Sequence, residues 1–91
     1  MWYFYVLRST NDEQYFYKGS TNDLHRRLEH HNSGKVFSSA PKRPYELVYY
    51  EAYLYEFAAR IRESSVKKNG NVSTSLQRRI KESLDVRFNI C

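Results

Sequence analysis

The chain has 91 residues, 41% of them hydrophobic and 16% aromatic, with nine tyrosines; this supports one small core and excludes both a disordered tail and a second domain within residues 1–91. No apolar run approaches the ~20 residues that span a bilayer, and strand-like sequence begins at Trp2, so neither a membrane anchor nor a signal peptide is expected. The net charge is +5 and its placement is uneven: residues 1–59 hold seven Lys/Arg and seven Asp/Glu, residues 60–91 eight against three.

A basic C-terminal third points to a polyanionic partner or, equally, to a solvated helix face. The lone cysteine, Cys91, excludes an internal disulfide framework and any cysteine zinc site. It reads as an exposed terminal thiol and fits an intracellular, cytoplasmic setting.

Trp2 to Leu7 is apolar or aromatic throughout and reads as a strand buried on both faces, with Tyr3, Tyr5 and Leu7 on one side. The polar run Arg8–Glu13 turns the chain. Gln14 to Lys18 returns as the second strand of an antiparallel hairpin, and Gly19 to Asn22 is expected to turn it into a helix. In a suitable register Tyr5 and Tyr17 face the same side; a slip of one residue would separate them.

A first helix is expected over Asp23–Asn32, with Asp23 in its first turn, where the helix dipole favours negative charge, and Gly34 as its stop. Leu24 and Leu28 form its apolar stripe, while Arg27 and His31, four apart, share one face. Ser33–Tyr45 reads as a loop carrying Lys35, Lys42 and Arg43: either an ordinary mobile loop or a phosphate-contacting flap.

Glu46–Tyr53 reads as a third strand, with Leu47, Tyr49 and Tyr53 on one face, interrupted by Glu51, and Val48, Tyr50 and Ala52 on the other. A second helix follows over Leu54–Lys68 with Leu54, Ala58, Ile61 and Ser65 as its buried stripe. Glu63, between Ala59 and Val66, sits at the edge of small or apolar surface, where a carboxylate needs a cation. Asn69–Asn71 ends that helix, and Thr74 with Gln77 suggests a capping box for a short third helix on Leu76, Ile80 and Leu84. Fraying is expected beyond Asp85. The order β-β-α-β-α-α predicts an α+β fold, a three-stranded antiparallel sheet flanked by helices.

These motifs resemble, in order, the GIY-YIG nuclease superfamily, and its small standalone members most closely. Tyr3-Phe4-Tyr5 stands where the first motif falls and Tyr17-Lys18-Gly19 where the second does. Gly19-Ser20-Thr21-Asn22-Asp23-Leu24, Arg26-Arg27-Leu28, His31-Asn32-Ser33-Gly34-Lys35, Arg43-Pro44, Glu46–Glu51, Arg62-Glu63 and Val66–Lys68 continue the likeness over roughly residues 2–80. The resemblance implies the same fold and a metal-dependent DNA endonuclease using Mg²⁺ or Mn²⁺, with roles in repair, recombination or mobile-element processing. A protein partner supplying substrate specificity is a further expectation.

By resemblance Tyr5, Tyr17, Arg27, His31 and Glu63 are the catalytic set, and Glu63 is the metal ligand. Lys35, Lys42, Arg43, Lys67 and Lys68 are the nucleic-acid contacts. The chemistry suits the residue types. A tyrosine titrates near pH ~10 and needs a neighbouring cation to act as a base. Arginine offsets phosphate charge, and one glutamate with water and phosphate oxygen satisfies Mg²⁺. Which tyrosine is the base stays open, as do Glu51 and Glu56 as rival carboxylates.

Several positions depart from the family pattern. Lys18 replaces an aliphatic residue and Tyr3 a glycine. Val36–Pro41 lacks the lysine, threonine and tyrosine expected there, and a late asparagine is represented only by Asn69 and Asn71. The other readings are a non-catalytic nucleic-acid-binding protein on this fold and an interaction adaptor using aromatic surface.

Overall fold

The aromatic run Trp2–Tyr5 followed by Val6 favours extended chain, and the computed structural model, which describes residues 1–89, begins with strand β1, Trp2–Ser9. Strand β2 is Phe16–Thr21, helix α1 Leu24–Asn32 and strand β3 Tyr45–Tyr53. Helices α2, Glu56–Lys68, and α3, Gly70–Asn89, complete the chain. The sheet is antiparallel in the order β2-β1-β3, so β1 is central and both partners are edges. The α+β architecture is the one the element order predicts.

Period-two alternation along β1 feeds two cores, one on each face. Phe4 and Val6 pack with Val66, Leu76 and Ile80 beneath α2 and α3, and Tyr5 and Leu7 pack with Tyr45, Tyr17, Leu24 and Leu28 beneath α1. The register pairs Tyr5 with Gly19 and Leu7 with Tyr17, which puts Tyr5 and Tyr17 on the α1 face as expected.

Five local expectations are corrected. Strand β2 does not turn at Gly19 but runs through it to Thr21, because β1 offers hydrogen-bonding partners that far. Asp23 is the N-cap of α1 rather than part of its first turn: its backbone is extended and its carboxylate accepts the Arg26 N–H at 3.1 Å.

In β3 a register irregularity opposite Val6 and Leu7 breaks the alternation. Leu47 packs with Tyr5 and Leu7, whereas Val48 and Tyr49 both pack on the opposite face with Phe4 and Val6. In α2 the expected stripe faces outward, with Leu54 73% and Ile61 52% exposed, and Ala59 and Val66 are buried instead. The helix is rotated by polar contacts under it. Arg62 pairs with Glu51 on β3 at 2.9 Å, and Glu63 accepts a hydrogen bond from Ser20 on β2 at 2.6 Å.

Finally, α3 begins at Gly70 rather than at a Thr74 cap. The Asn69 side chain accepts the Asn71 and Val72 N–H groups at 3.0 and 3.3 Å, which satisfies the first turn. Leu76 and Ile80 are buried as expected, and the helix continues past Asp85 to Asn89. The reading of Cys91 lies outside the described residues.

Candidate active site

Gly19 is where the site begins. It lies opposite Tyr5, and a Cβ built on it would stand 2.5 Å from the Tyr5 hydroxyl and 2.7 Å from its Cζ. Only a residue without a side chain lets the Tyr5 phenol lie across the β2 backbone toward the sheet edge. The glycine is there for close approach and not for φ, since the one positive-φ glycine is Gly34.

Helix α1 supplies two partners for that phenol. Its Asp23 cap fixes where the helix starts, and the 3.6-residue period then brings Arg27 and His31 onto the face over β1. The Arg27 Nε–H donates to the Tyr5 hydroxyl at 3.2 Å, and His31 Nε2 lies 3.0 Å from the same oxygen. The imidazole is fully buried and packs on the Tyr17 ring, with centroids 4.6 Å apart.

The far side of His31 is held by Ser39, a residue that sequence reasoning passed over within a featureless loop. Ser39 is fully buried; its Oγ is 2.6 Å from His31 Nδ1 and 3.3 Å from the Val36 carbonyl. Tyr45 donates to the Ser39 carbonyl at 2.8 Å, and burial pushes the Tyr45 phenol up to about 12, so it remains a donor. Both ring nitrogens of His31 are therefore engaged, Nδ1 by Ser39 and Nε2 by Tyr5, and the tautomer sets which contact the ring donates. The Tyr5 oxygen accepts from Arg27 and shares a second hydrogen bond with His31.

The electrostatics follow from burial. Burial, with help from the Arg27 and His30 charges, pulls His31 down to about 4, so the ring is neutral at pH 7. Burial raises Tyr5 above the ordinary phenol value, while the Arg27 hydrogen bond and charge oppose the rise. The hydrogen bond to Tyr5 in turn raises Arg27.

Glu63 arrives from the opposite face of the sheet. It reaches the β2 edge from α2, where Ser20 donates to Oε1 at 2.6 Å and Lys67 to Oε2 at 2.7 Å. Its charge is near enough to act on both Tyr5 and Arg27. Burial favours its neutral form, but the Lys67 and Ser20 hydrogen bonds outweigh it and hold the carboxyl below the usual range. Edge strand β2 is therefore straddled: Tyr5, Tyr17, Arg27 and His31 on one face, Glu63 and Ser20 on the other.

A metal would find hard oxygen donors here, one carboxylate and one hydroxyl. Among the described residues no group of three or more His, Cys, Asp or Glu gathers anywhere. The set fits Mg²⁺ or Mn²⁺, which keep several waters and take one or two carboxylates beside substrate phosphate. The Lys67 side chain on Oε2 is 49% exposed and can swing aside.

The structure does not bring the loop cations to this cluster as one group. Lys35 is exposed just past α1. Lys42 pairs with Asp12 at 2.9 Å and lies over the Tyr15 ring. Arg43 covers Gly34 and donates to the Ala40 carbonyl at 3.4 Å. The loop is tied to the hairpin: Ser9 Oγ donates to the Lys42 carbonyl at 2.6 Å, and the Thr10 N–H donates to the Pro44 carbonyl at 2.9 Å. Lys67 stands on Glu63, and Lys68 is exposed at the end of α2. Beside Arg27 a shallow depression of about 160 Å³ is lined by Thr21, Asn22, Asp23, Arg26 and His30. Glu51, a rival carboxylate, is occupied by Tyr49, Tyr53 and Arg62 under α2, and Glu56 pairs with Arg60 on the surface.

Tyr5, Tyr17, Arg27 and His31 gather on one face of a three-stranded antiparallel sheet flanked by helices, an architecture consistent with the nuclease-superfamily fold. The chain belongs to the GIY-YIG family: the profile described as the GIY-YIG catalytic domain matches residues 1–77. It is similar to a UPF0213 protein of Pediococcus pentosaceus, 35% identical over 88 residues, which cover 82% of this chain and 90% of the relative. A UPF0213 protein of Bacillus pumilus is 46% identical over 52 residues, 56% of this chain and 51% of that protein. The UPF0213 protein YazA of Bacillus subtilis is 38% identical over 52 residues, 56% of this chain and 50% of its own length. The match thus spans about half of each Bacillus relative. Membership places the chain in an endonuclease superfamily whose nucleases generally depend on a divalent metal. Among the described residues no helix is long and apolar enough to cross a membrane.

Proposed function

We propose that this protein is a divalent-metal-dependent DNA endonuclease that hydrolyses phosphodiester bonds, in repair, recombination or mobile-element processing. The observation that carries the reading is the convergence of Arg27 Nε, which donates at 3.2 Å, and His31 Nε2, which lies at 3.0 Å, on the single hydroxyl of Tyr5. Burial holds the Tyr5 phenol above its ordinary value, the Arg27 hydrogen bond and charge oppose that rise, and a divalent cation held at Glu63 would add the further positive charge that a tyrosine base needs near neutral pH.

Tyr5, as phenolate, then takes the proton from water, whose oxygen attacks phosphorus as the phosphorus–oxygen bond opposite breaks and the leaving oxygen takes a proton from solvent. Tyr17, whose ring packs at 60° to that of His31, orients the water. Arg27, besides holding Tyr5, faces the charge that develops on phosphate. Glu63 would hold the Mg²⁺ or Mn²⁺, which supplies charge stabilisation at phosphate and the leaving oxygen. DNA affinity comes mostly from phosphate contacts by Lys35, Lys42, Arg43, Lys67 and Lys68 and falls with salt.

The test is nicking of supercoiled, branched and single-stranded DNA with Mg²⁺, Mn²⁺ or EDTA. Tyr5→Phe, Tyr17→Phe and Glu63→Ala are each expected to lose at least about 100-fold while keeping their circular dichroism. Nicking at the wild-type rate by all three would sink the assignment, and binding without cutting on every substrate would favour a non-catalytic nucleic-acid-binding protein.

A further inference from the structure

Lys18 is a charge the proposed site leaves unused. Alternation along β2 places Phe16, Lys18 and Ser20 on the α2 face. Phe16 packs into the core there and Ser20 holds Glu63, so Lys18 sits between them, under α2 and beside the edge. It is half-buried, and among the described residues no carboxylate lies within ion-pair distance of it. Its near neighbour is another cation, Lys67, whose ammonium is already on Glu63 Oε2 at 2.7 Å. Burial first, and the Lys67 charge second, lower the Lys18 pKa. Of the two ammonium groups at this rim, Lys67 is thus paired with Glu63 and Lys18 has no carboxylate. A half-buried cation held beside a like charge lacks an anion.

We propose that Lys18 and Lys67 form a subsite for a backbone phosphate of a DNA strand crossing the β2 edge, next to the phosphate held at Arg27. This rests on the endonuclease reading and adds a contact to it. An incoming phosphate neutralises the Lys18 ammonium and draws Lys67 off Glu63, so filling the subsite also frees the carboxylate oxygen at which a metal would bind.

The test reads binding without cutting: anisotropy of a labelled DNA duplex in EDTA over a range of NaCl. The proteins are wild type, Lys18→Ile, Lys18→Arg and Lys81→Ile. Lys81, on α3 beside Arg8 and Glu13, controls for net charge. Lys18→Ile is expected to weaken binding about 3- to 10-fold and to reduce the slope of log K against log salt by about one, the signature of one lost phosphate contact. Lys18→Arg should retain both. Lys18→Ile should melt no lower than wild type, because it removes a half-buried like charge.

Equal affinity and slope for Lys18→Ile and Lys81→Ile would overturn the subsite and leave the nuclease reading standing. A wild type that binds no DNA would overturn both. Inorganic phosphate that shifts the Lys18 side-chain resonance, with DNA affinity unchanged in Lys18→Ile, would assign the site to free anion and refute the DNA contact.

Discussion

Gly19→Ala adds a single methyl where the structure has no room for it. The Cβ would lie 2.5 Å from the Tyr5 hydroxyl, 2.7 Å from Cζ and 3.1 Å from Cε1. The φ at Gly19 is not positive, so the backbone accepts alanine and the whole effect is a packing one. Tyr5 is 2% exposed and sits in a filled core, so its ring cannot simply swing out. Overpacking of this kind costs about 1–3 kcal/mol. Moving the ring also lengthens the His31 and Arg27 contacts at 3.0 and 3.2 Å, worth about 1 kcal/mol each. The sum, about 3–5 kcal/mol if both contacts are lost, should lower the thermal midpoint by roughly 12–40 °C at this chain length. Misplacing the phenol by about 1 Å should cost about 100-fold in nicking. Circular dichroism melting and single-turnover nicking at a temperature where the variant is folded measure the two effects separately. Adding Tyr5→Phe to Gly19→Ala should restore part of the stability, since the nearest clashing atom is gone, and none of the activity. A Gly19→Ala protein that melts within about 1 °C of wild type and cuts normally would refute the close-approach argument.

The remaining predictions concern the buried polar groups. His31 is pulled to about 4 in the folded protein from an ordinary value of 6.5, so the unfolded chain binds the extra proton between those limits. Stability should therefore be fully present above pH ~6.5 and fall toward pH 4, by an order of about 3 kcal/mol. Urea titrations of wild type and His31→Gln across that window should show the slope only in the wild type, and a parallel slope in both would show that His31 is not its source. Glu51→Gln keeps the shape of the side chain but removes the charge that Arg62, Tyr49 and Tyr53 hold between 2.6 and 3.2 Å. It should cost about 1–3 kcal/mol, because Arg62 is left half-buried without a counter-charge, while DNA nicking per folded molecule stays unchanged. Loss of nicking with unchanged stability would move Glu51 into the site.

Much of this was legible in the sequence wherever a periodicity was short and uninterrupted. Alternation along β1 set Tyr3, Tyr5 and Leu7 on one face, and the four-residue interval set Arg27 with His31. Both hold because each depends only on local backbone geometry. Where one residue breaks the period, the reading fails. The irregularity in β3 sends Leu47 and Tyr49 to opposite faces, and nothing in Glu46–Tyr53 marks it. The sequence pattern puts Leu54, Ala58, Ile61 and Ser65 on the buried face of α2 by spacing alone, whereas the helix is turned by Arg62 and Glu63 meeting partners on β3 and β2. Ser39 carried no signal at all, since a serine in a polar loop acquires its role only when folding buries it against His31.

The sequence by itself determined the kinds and order of elements, the shared face of Arg27 and His31, and the family. These rest on residue type and on spacing along one element. The tertiary structure alone decided that Glu63, held by Ser20 from the opposite face of β2, comes near enough for its charge to act on Tyr5 and Arg27. It also decided that the Tyr5 phenol lies against Gly19. Helices α1 and α2 cover different faces of one sheet, and which side chains then meet at its rim depends on register, helix rotation and contacts 43 residues apart, such as Ser20 with Glu63. No local pattern encodes those.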